Sequence, residues 1–246
     1  MRRAGPAAHD PSMPESPTPD AASVSVDELI ALGRDREAVE AATRRPQTTQ
    51  PGGAMDGVQQ LDQIFPLLEQ VVDGISPDQL DNPTPCAGFT VTGVMEHMIG
   101  GVDVFAPAFR GEPATAGAEA ADGTTEERWR RAMAELAGAI HASGAQERTI
   151  ATPFGEMPGS VFVRYVAFDG LVHGWDLAVS TGQPYTPPAD VVAEVDDFVR
   201  DLLKPEMRDG DTFAAETEAP PGASPLERLV AFSGRQLTNK NTETTR

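Results

Sequence analysis

The segment from Val161 to Thr181 is the sequence feature that most limits how this chain can fold. Its residues, VFVRYVAFDGLVHGWDLAVST, predict a helix that is apolar around almost its whole circumference. A helix without a polar face belongs between other elements, inside a protein. The segment nevertheless carries Asp169, His173 and Asp176, and burying such groups is costly unless they are paired, hydrogen-bonded or bound to a metal. It therefore predicts a central helix with a polar site on it.

The three ionisable residues of this helix share one stripe. Spacings of three, four and seven residues converge on a helical surface, so Asp169, His173 and Asp176 face the same way. A carboxylate and an imidazole four residues apart, facing a bundle core, can chelate a divalent metal. The alternative is a metal-free pair in which Asp169 and His173 stabilise each other in the core.

The remaining apolar residues also follow helical spacing, and the sequence predicts an all-α fold in one domain. The predicted helices run from Asp56 to Ser76, from Thr90 to Gly111, from Thr124 to Gly144, from Ser160 to Gly182, from Pro187 to Leu202 and from Ser224 to Gly234. Pro66 lies inside the first helix and predicts a kink or a broken first turn there. Residues 149–159 predict a small hairpin around a glycine turn. The expected architecture is a bundle of four longer helices with short C-terminal additions.

The chain ends differ in composition from this central part. Residues 1–54 contain seven prolines and no aromatic residue, which is typical of a segment that cannot bury a core. We expect a disordered extension over residues 1–54, a helical domain over residues 55–237 and a disordered tail over residues 238–246. Met55, directly before a well-patterned helix, is an alternative translation start.

Charge and composition limit the partners of the chain. Its 246 residues carry a formal net charge of −19, which argues against nucleic acid or an anionic membrane as a partner. One cysteine excludes an internal disulfide framework and an all-cysteine zinc site. Without an apolar run long enough to span a membrane and without a secretory signal, we expect a cytoplasmic protein. A homodimer is compatible with the sequence.

His97 is the histidine that best completes a metal site. The chain has four histidines; His9 lies in the low-complexity segment, and His141 ends a predicted helix, where the helix dipole alone favours it. His97 lies at the edge of the apolar face of the second helix. Together with Asp169 and His173, it favours a metal site over a buried structural pair.

Three glycines surround His97 on its own helix. Gly93, Gly100 and Gly101 lie one turn away from it, and each costs roughly 0.5–1 kcal/mol relative to alanine within a helix. They either leave room beside the imidazole for an ion and a ligand, or allow another helix to pack closely. The sequence does not decide between these two interpretations.

Three further residues have several interpretations. Asp176 is a fourth ligand, a hydrogen-bond partner of a ligating histidine, a cap for a neighbouring helix or a partner of Arg164. Tyr165, one turn before Asp169 on the same stripe, is a candidate pocket residue. Cys86 either faces the site or, as the residue type favours, is a small buried hydrophobe.

Two segments resemble signatures of a known family. Residues 83–91 (PTPCAGFTV), followed by residues 97–101 (HMIGG), resemble the first signature of the DinB/YfiT-like metalloprotein superfamily. The closest branch is the actinobacterial one that includes the N-terminal domain of mycothiol-dependent maleylpyruvate isomerase. Residues 169–178 (DGLVHGWDLA) resemble its second signature, and residues 225–235 are also similar to that branch. The resemblance covers residues 55–237.

The resemblance implies an antiparallel four-helix bundle that binds a divalent metal through two histidines and a carboxylate. Carried over to this chain, the ligands are His97, Asp169 and His173, with Asp176 in a supporting role. The implied ion is Zn²⁺, with Ni²⁺, Fe²⁺ and Mn²⁺ as alternatives. Many members have glutamate where Asp169 stands, and the second domain of the isomerase is not recognisable here.

The implied chemistry depends on a small-molecule substrate and a thiol. A metal with three protein ligands and open positions is typical of a catalytic site. It would lower the pKa of a bound low-molecular-weight thiol, such as mycothiol, for transfer or isomerisation. The alternatives are a metal-dependent hydrolase and a non-enzymatic metal-binding or ligand-sensing bundle.

Overall fold

The computed structural model describes residues 55–113, 122–152, 155–203, 205, 208 and 213–237. The described part is mostly helical, with a small two-stranded sheet. Its elements, in chain order, are α1 (Gly57–Asp73), a short 3₁₀ turn (Pro77–Gln79), α2 (Val91–Arg110), α3 (Thr125–Ile140), β1 (Thr149–Thr152), β2 (Gly155–Pro158), α4 (Gly159–Thr181), α5 (Ala189–Leu202) and α6 (Pro225–Phe232). The expected extension over residues 1–54 and the expected tail over residues 238–246 lie outside the described residues.

Helix α1 begins and ends at local signals. Asp56 accepts a hydrogen bond from the backbone N–H of Gln59, whose side chain bonds back to the Asp56 backbone, and the helix ends before Gly74. Pro66 does not break it, so the predicted broken turn is wrong. Pro66 has no backbone N–H, so one carbonyl in the preceding turn lacks its helical hydrogen bond. Because Pro66 is exposed, that carbonyl is on a side of the helix that is open to water.

Helices α2 and α3 begin at the predicted caps. Thr90 caps α2, and Thr124 forms a capping box with Glu127 at the start of α3. The predicted end of α3 at Gly144 is wrong, because the helix ends at Ile140. Gly144 lies in the following turn with a φ of +79°, a conformation that glycine adopts without strain.

The predicted hairpin is confirmed, and it leads directly into the central helix. Strands β1 and β2 pair antiparallel, with Ile150 opposite Met157. Helix α4 begins at Gly159, two residues before the Val161 start that a Ser160 cap would give, so the predicted cap is wrong. The reason is tertiary: the backbone at Gly159 passes so close to the Ala145 carbonyl that a Cβ would collide with it.

Helix α4 is the central helix that its sequence predicts. It packs lengthwise against α1 and also contacts α2, α5 and α6, while α3 packs lengthwise against α2. Trp175 is buried, as expected for a core residue. None of the helices in the described ranges is both long and apolar enough to cross a membrane.

The C-terminal part returns the chain to the central helix. Helix α5 follows Pro188, and α6 is capped by Ser224 with a box formed by Glu227, as the sequence predicts. Gly234 follows α6 with a φ of +95° and approaches Ala214 so closely that a Cβ would clash. This turn directs the next residue, Arg235, towards α4.

Candidate metal centre

The structure brings His97, Asp169 and His173 together. One donor atom from each side chain lies within 4.8 Å of the other two. His173 Nε2 is 3.4 Å from Asp169 Oδ1, and the His97 and His173 rings meet edge to face with centroids 5.1 Å apart. The predicted residues therefore form one cluster, with His97 supplied by α2 and the other two by α4.

The cluster is buried at one end and open at the other. The His173 residue is 5% exposed and the Asp169 side chain 27%, whereas His97 is exposed. The ring of Phe89, itself partly exposed, lies 5.6 Å from the His97 ring. A small molecule can therefore approach the cluster from the His97 side.

The three glycines near His97 do not serve helix–helix packing. A Cβ at Gly100 would meet no atom of the described residues within 4 Å, and the nearest atoms at Gly93 and Gly101 belong to Phe89, Thr90 and Phe105, which precede α2 or lie on it. Of the two interpretations left open by the sequence, this geometry favours free space beside the imidazole.

Asp176 is a buried partner of His173. Its residue is 0% exposed, and Oδ2 lies 3.1 Å from His173 Nδ1 and 2.9 Å from Arg235 Nη2. The alternative pairing with Arg164 is wrong, because Arg164 donates to the Glu194 carbonyl. A carboxylate that holds the second nitrogen of a ligating histidine fixes the tautomer and orientation of its ring.

Arg235 is the site residue that sequence reasoning missed. Its side chain is largely buried, and both Nε and Nη2 contact the Asp176 carboxylate. A buried carboxylate needs a cation or several donors, so a partner for Asp176 was to be expected. The local sequence gives no sign of which arginine supplies it.

The charges of the cluster depend on one another. Burial lowers the pKa of His173, but Asp169 and Asp176 outweigh it through charge and hydrogen bonds and raise that pKa to about 9. Burial raises the pKa of Asp169, yet His173 brings it below its usual value. The pKa of Asp176 is likewise lowered against burial, by His173 and Arg235. Without a metal, the buried part of the cluster is an imidazolium between two carboxylates, balanced by Arg235.

His97 differs from His173 in its charge. Desolvation by the surrounding protein lowers its pKa below the usual value of 6.5, against the smaller opposing effect of Asp169. This holds although one side of the residue is exposed. His97 is therefore neutral at pH 7, with a lone pair free to bind an ion or accept a proton.

Tyr165 lies in the aromatic layer beside the cluster. Its ring stacks on Phe162 with a centroid distance of 5.9 Å and faces Phe168 at 6.4 Å. Burial and the nearby charge of Asp169 raise the pKa of its hydroxyl. Tyr165 is thus placed near the candidate ligands, while contact with a substrate stays a prediction.

Cys86 also faces the cluster. The residue is half-buried and packs against the core, as a small hydrophobe does, but its Sγ lies within 4.8 Å of donor atoms of His173 and Asp176. Burial raises the pKa of its thiol to about 11, with Arg235 opposing and Asp176 adding to the shift. Both interpretations of Cys86 therefore apply, because the residue packs against the core and its Sγ also faces the site.

The residues present fit a divalent metal. Two imidazole nitrogens and one carboxylate oxygen from two helices converge, and the buried histidine has its other nitrogen held by a carboxylate. The discounted His141 lies elsewhere, paired with Asp62 at 2.8 Å. His9 lies outside the described residues.

Comparison with known proteins identifies one matching family model and two similar proteins. The model of the mycothiol maleylpyruvate isomerase N-terminal domain matches residues 61–178, which include Cys86, His97 and the α4 residues of the site but not Arg235. Two proteins of Mycobacterium tuberculosis, from strains CDC 1551 and H37Rv, are each 34% identical over 168 residues, or 66% of this chain and 88% of the relative. Each of the two is described as an uncharacterized protein. No solved structure matches the chain.

Proposed function

Because the chain belongs to the mycothiol maleylpyruvate isomerase N-terminal domain family, we propose that it is a metal- and thiol-dependent transferase or isomerase. The proposed metal is divalent, with Zn²⁺ first, and the proposed co-substrate is a low-molecular-weight thiol of the mycothiol type. The observation that carries this proposal is the convergence of donors from His97, Asp169 and His173, which leaves one side open.

The proposed ligands have separate roles. Asp169 supplies a half-buried carboxylate and His173 a buried imidazole from one face of α4, and His97 supplies a neutral imidazole at the open side. Asp176 holds His173 Nδ1, so that Nε2 faces Asp169. A divalent ion bound there would supply Lewis acidity and lower the pKa of a coordinated thiol.

The charges around the cluster support a thiol ligand. Bound as a thiolate, the thiol adds one negative charge to the two of Asp169 and Asp176. A divalent ion together with Arg235, which contacts Asp176, would supply three positive charges and so balance all three. The free space around Gly100 and the exposed side of His97 provide an approach for the co-substrate and for an electrophilic small molecule.

The same proposal includes the finer architecture. We infer that α1 to α4 form the antiparallel four-helix bundle of the family, with α5 and α6 as additions. The lengthwise pairing of α1 with α4 and of α2 with α3, together with the contact between α2 and α4, supports this arrangement.

The test measures bound metal and thiol consumption on the same preparations. We expect about one zinc per chain in the wild type by elemental analysis, loss of that zinc in His173→Ala, and loss of the zinc-dependent thiol consumption in His97→Ala. His141→Ala is the matched control, because this histidine pairs with a surface aspartate away from the cluster. Consumption of mycothiol with a panel of electrophiles should follow the zinc content and stop on chelation.

Two outcomes would contradict the proposal. A protein that retains zinc in both histidine variants binds it elsewhere, and the candidate centre would then be wrong. Zinc that depends on His173 without thiol consumption across the panel would leave a binding or sensing protein in place of an enzyme.

A further inference from the structure

A second group of metal donors shares His173 with the first. It consists of Cys86, His173 and Asp176, whose donor atoms lie within 4.8 Å of one another. We propose that His173 serves two alternative metal positions, and that the second, formed by Cys86 Sγ, Asp176 and His173 Nδ1, takes a thiophilic divalent ion. This position goes beyond the proposed function and does not depend on it.

The two nitrogens of His173 face different groups. Nε2 is 3.4 Å from Asp169 Oδ1, and Nδ1 is 3.1 Å from Asp176 Oδ2. His97 belongs only to the first group and Cys86 only to the second. Each position therefore has a ligand of its own, and a variant at that residue tests it separately.

The donor types determine which ions prefer which position. The first group offers nitrogen and oxygen, which suit a range of divalent ions including Mn²⁺ and Fe²⁺. The second adds sulfur, which favours Zn²⁺, Cd²⁺ or Co²⁺ over hard ions such as Mn²⁺ and Mg²⁺. On binding there, a metal–sulfur bond replaces the S–H bond of Cys86 and a metal–nitrogen bond replaces the Nδ1–H bond of His173, and both protons pass to solvent.

Arg235 makes the second position the weaker one for ions that do not prefer sulfur. Its guanidinium already contacts both oxygens of Asp176, so an ion at this carboxylate competes with a positive charge. A neutral imidazole has one lone pair, which means that His173 ligates one ion at a time. A thiophilic ion held by Cys86 would therefore withdraw His173 from the proposed catalytic centre.

Cobalt spectroscopy distinguishes the two positions. Cys86 is the only cysteine of the chain, so any cobalt–thiolate charge-transfer band comes from it. We expect Co²⁺ to give a strong near-ultraviolet thiolate band in His97→Ala, where the first position lacks a ligand, and no band in His97→Ala/Cys86→Ala. Cobalt bound to His97→Ala without this band, or no cobalt bound at all, would overturn the inference.

A measurement on the wild-type protein does not depend on the folding of these variants. Cys86 is half-buried and its thiol pKa is raised to about 11, so we expect a small maleimide to alkylate it slowly. Saturating Cd²⁺ should abolish this alkylation, and saturating Mn²⁺ should leave it unchanged. Equal protection by both ions would indicate shielding from the first position, and no protection by Cd²⁺ would show that Sγ is not a ligand; either result contradicts the second position.

The two proposals fail separately. Loss of the cobalt–thiolate signal would leave the His97-dependent thiol chemistry untouched. Absence of thiol turnover would leave the thiolate band and the Cd²⁺ protection untouched.

Discussion

Arg235 Nη2 lies 2.9 Å from Asp176 Oδ2, the same oxygen that lies 3.1 Å from His173 Nδ1. Arg235 and Asp176, which are 59 positions apart in the sequence, thus form the buried end of the candidate centre. The segment after α6 therefore affects both the stability of the fold and the orientation of a proposed ligand.

Replacing Arg235 with methionine should destabilise the protein strongly. The change leaves the Asp176 and Asp169 carboxylates with one cation between them, the His173 imidazolium, and breaking a buried pair in this way costs about 3–5 kcal/mol. Urea denaturation of the metal-free protein measures the effect. Arg228→Met is the control, because Arg228 is exposed and its side chain donates to the nearby Ala223 carbonyl.

A second change separates lost charge pairing from lost packing. In Arg235→Met/Asp176→Asn the unpaired charge is gone, and much of the lost free energy of unfolding should return. If the double variant is as unstable as Arg235→Met alone, the destabilisation comes from packing of the arginine side chain, and the charge argument is wrong.

Asp176→Asn should weaken metal binding with little effect on the ligand set itself. The amide keeps the size of the side chain, but it no longer provides the negative charge that orients His173 and raises its basicity. Loss of such a partner reduces metal affinity by roughly 10–100-fold. Competition with a chromophoric chelator measures the zinc affinity of each variant.

Asp62→Asn is the matched control for that comparison. Asp62 also pairs with a histidine, His141, but at the surface and away from the cluster. Its replacement should leave zinc affinity unchanged. Equal affinity in Asp176→Asn and in the wild type would contradict a role for Asp176 in holding His173.

The metal-free protein should lose stability as the pH rises towards 9. Folding raises the pKa of His173 from 6.5 to about 9, so its contribution is fully present below pH 6.5 and disappears as the pH passes through about 9. Asp169 and Asp176 have lowered pKa values, and their contribution is present above about pH 3.8 and is lost as the pH falls further. The free energy of unfolding of the metal-free protein should therefore be greatest between about pH 3.8 and pH 6.5.

Chemical denaturation across this pH range tests the assignment. His173→Gln should remove most of the alkaline decrease in the free energy of unfolding, whereas His141→Gln should leave it as in the wild type. Zinc binding at pH 7 should also release the His173 proton, which calorimetry in buffers of different ionisation enthalpy detects. An alkaline decrease that persists in His173→Gln would show that another group titrates.

Much of the fold and part of the site follow from short-range sequence patterns. The caps at Thr90 and Thr124 depend on residues within one turn, and the stripe of Asp169 and His173 depends only on helical periodicity. These features are local, so the sequence predicts them. The sequence does not predict the start of α4 at Gly159, because that start depends on the Ala145 carbonyl from the preceding loop.

The missing parts of the site depend on how distant segments meet. Arg235 reaches Asp176 only because the chain turns at Gly234 after α6, and nothing near Arg235 in the sequence indicates its partner. Cys86 faces His173 from the loop before α2, where the residue type alone favoured simple burial. Local patterns gave the candidate ligands, but not their supporting groups.

Gly100→Ala should stabilise the protein by about 0.5–1 kcal/mol, the usual gain when alanine replaces a glycine inside a helix. Its position is exposed and a Cβ there meets no atom within 4 Å in the part of the chain that the structure describes, so no clash with that part offsets the gain. Gly159→Ala is the opposite case, because its Cβ would collide with the Ala145 carbonyl, and it should lower the melting temperature.

If free space beside His97 serves a ligand, the bulkier Gly100→Leu should keep the zinc of the wild type and reduce thiol consumption. Unchanged thiol consumption in Gly100→Leu would show that the co-substrate does not approach along this face of α2.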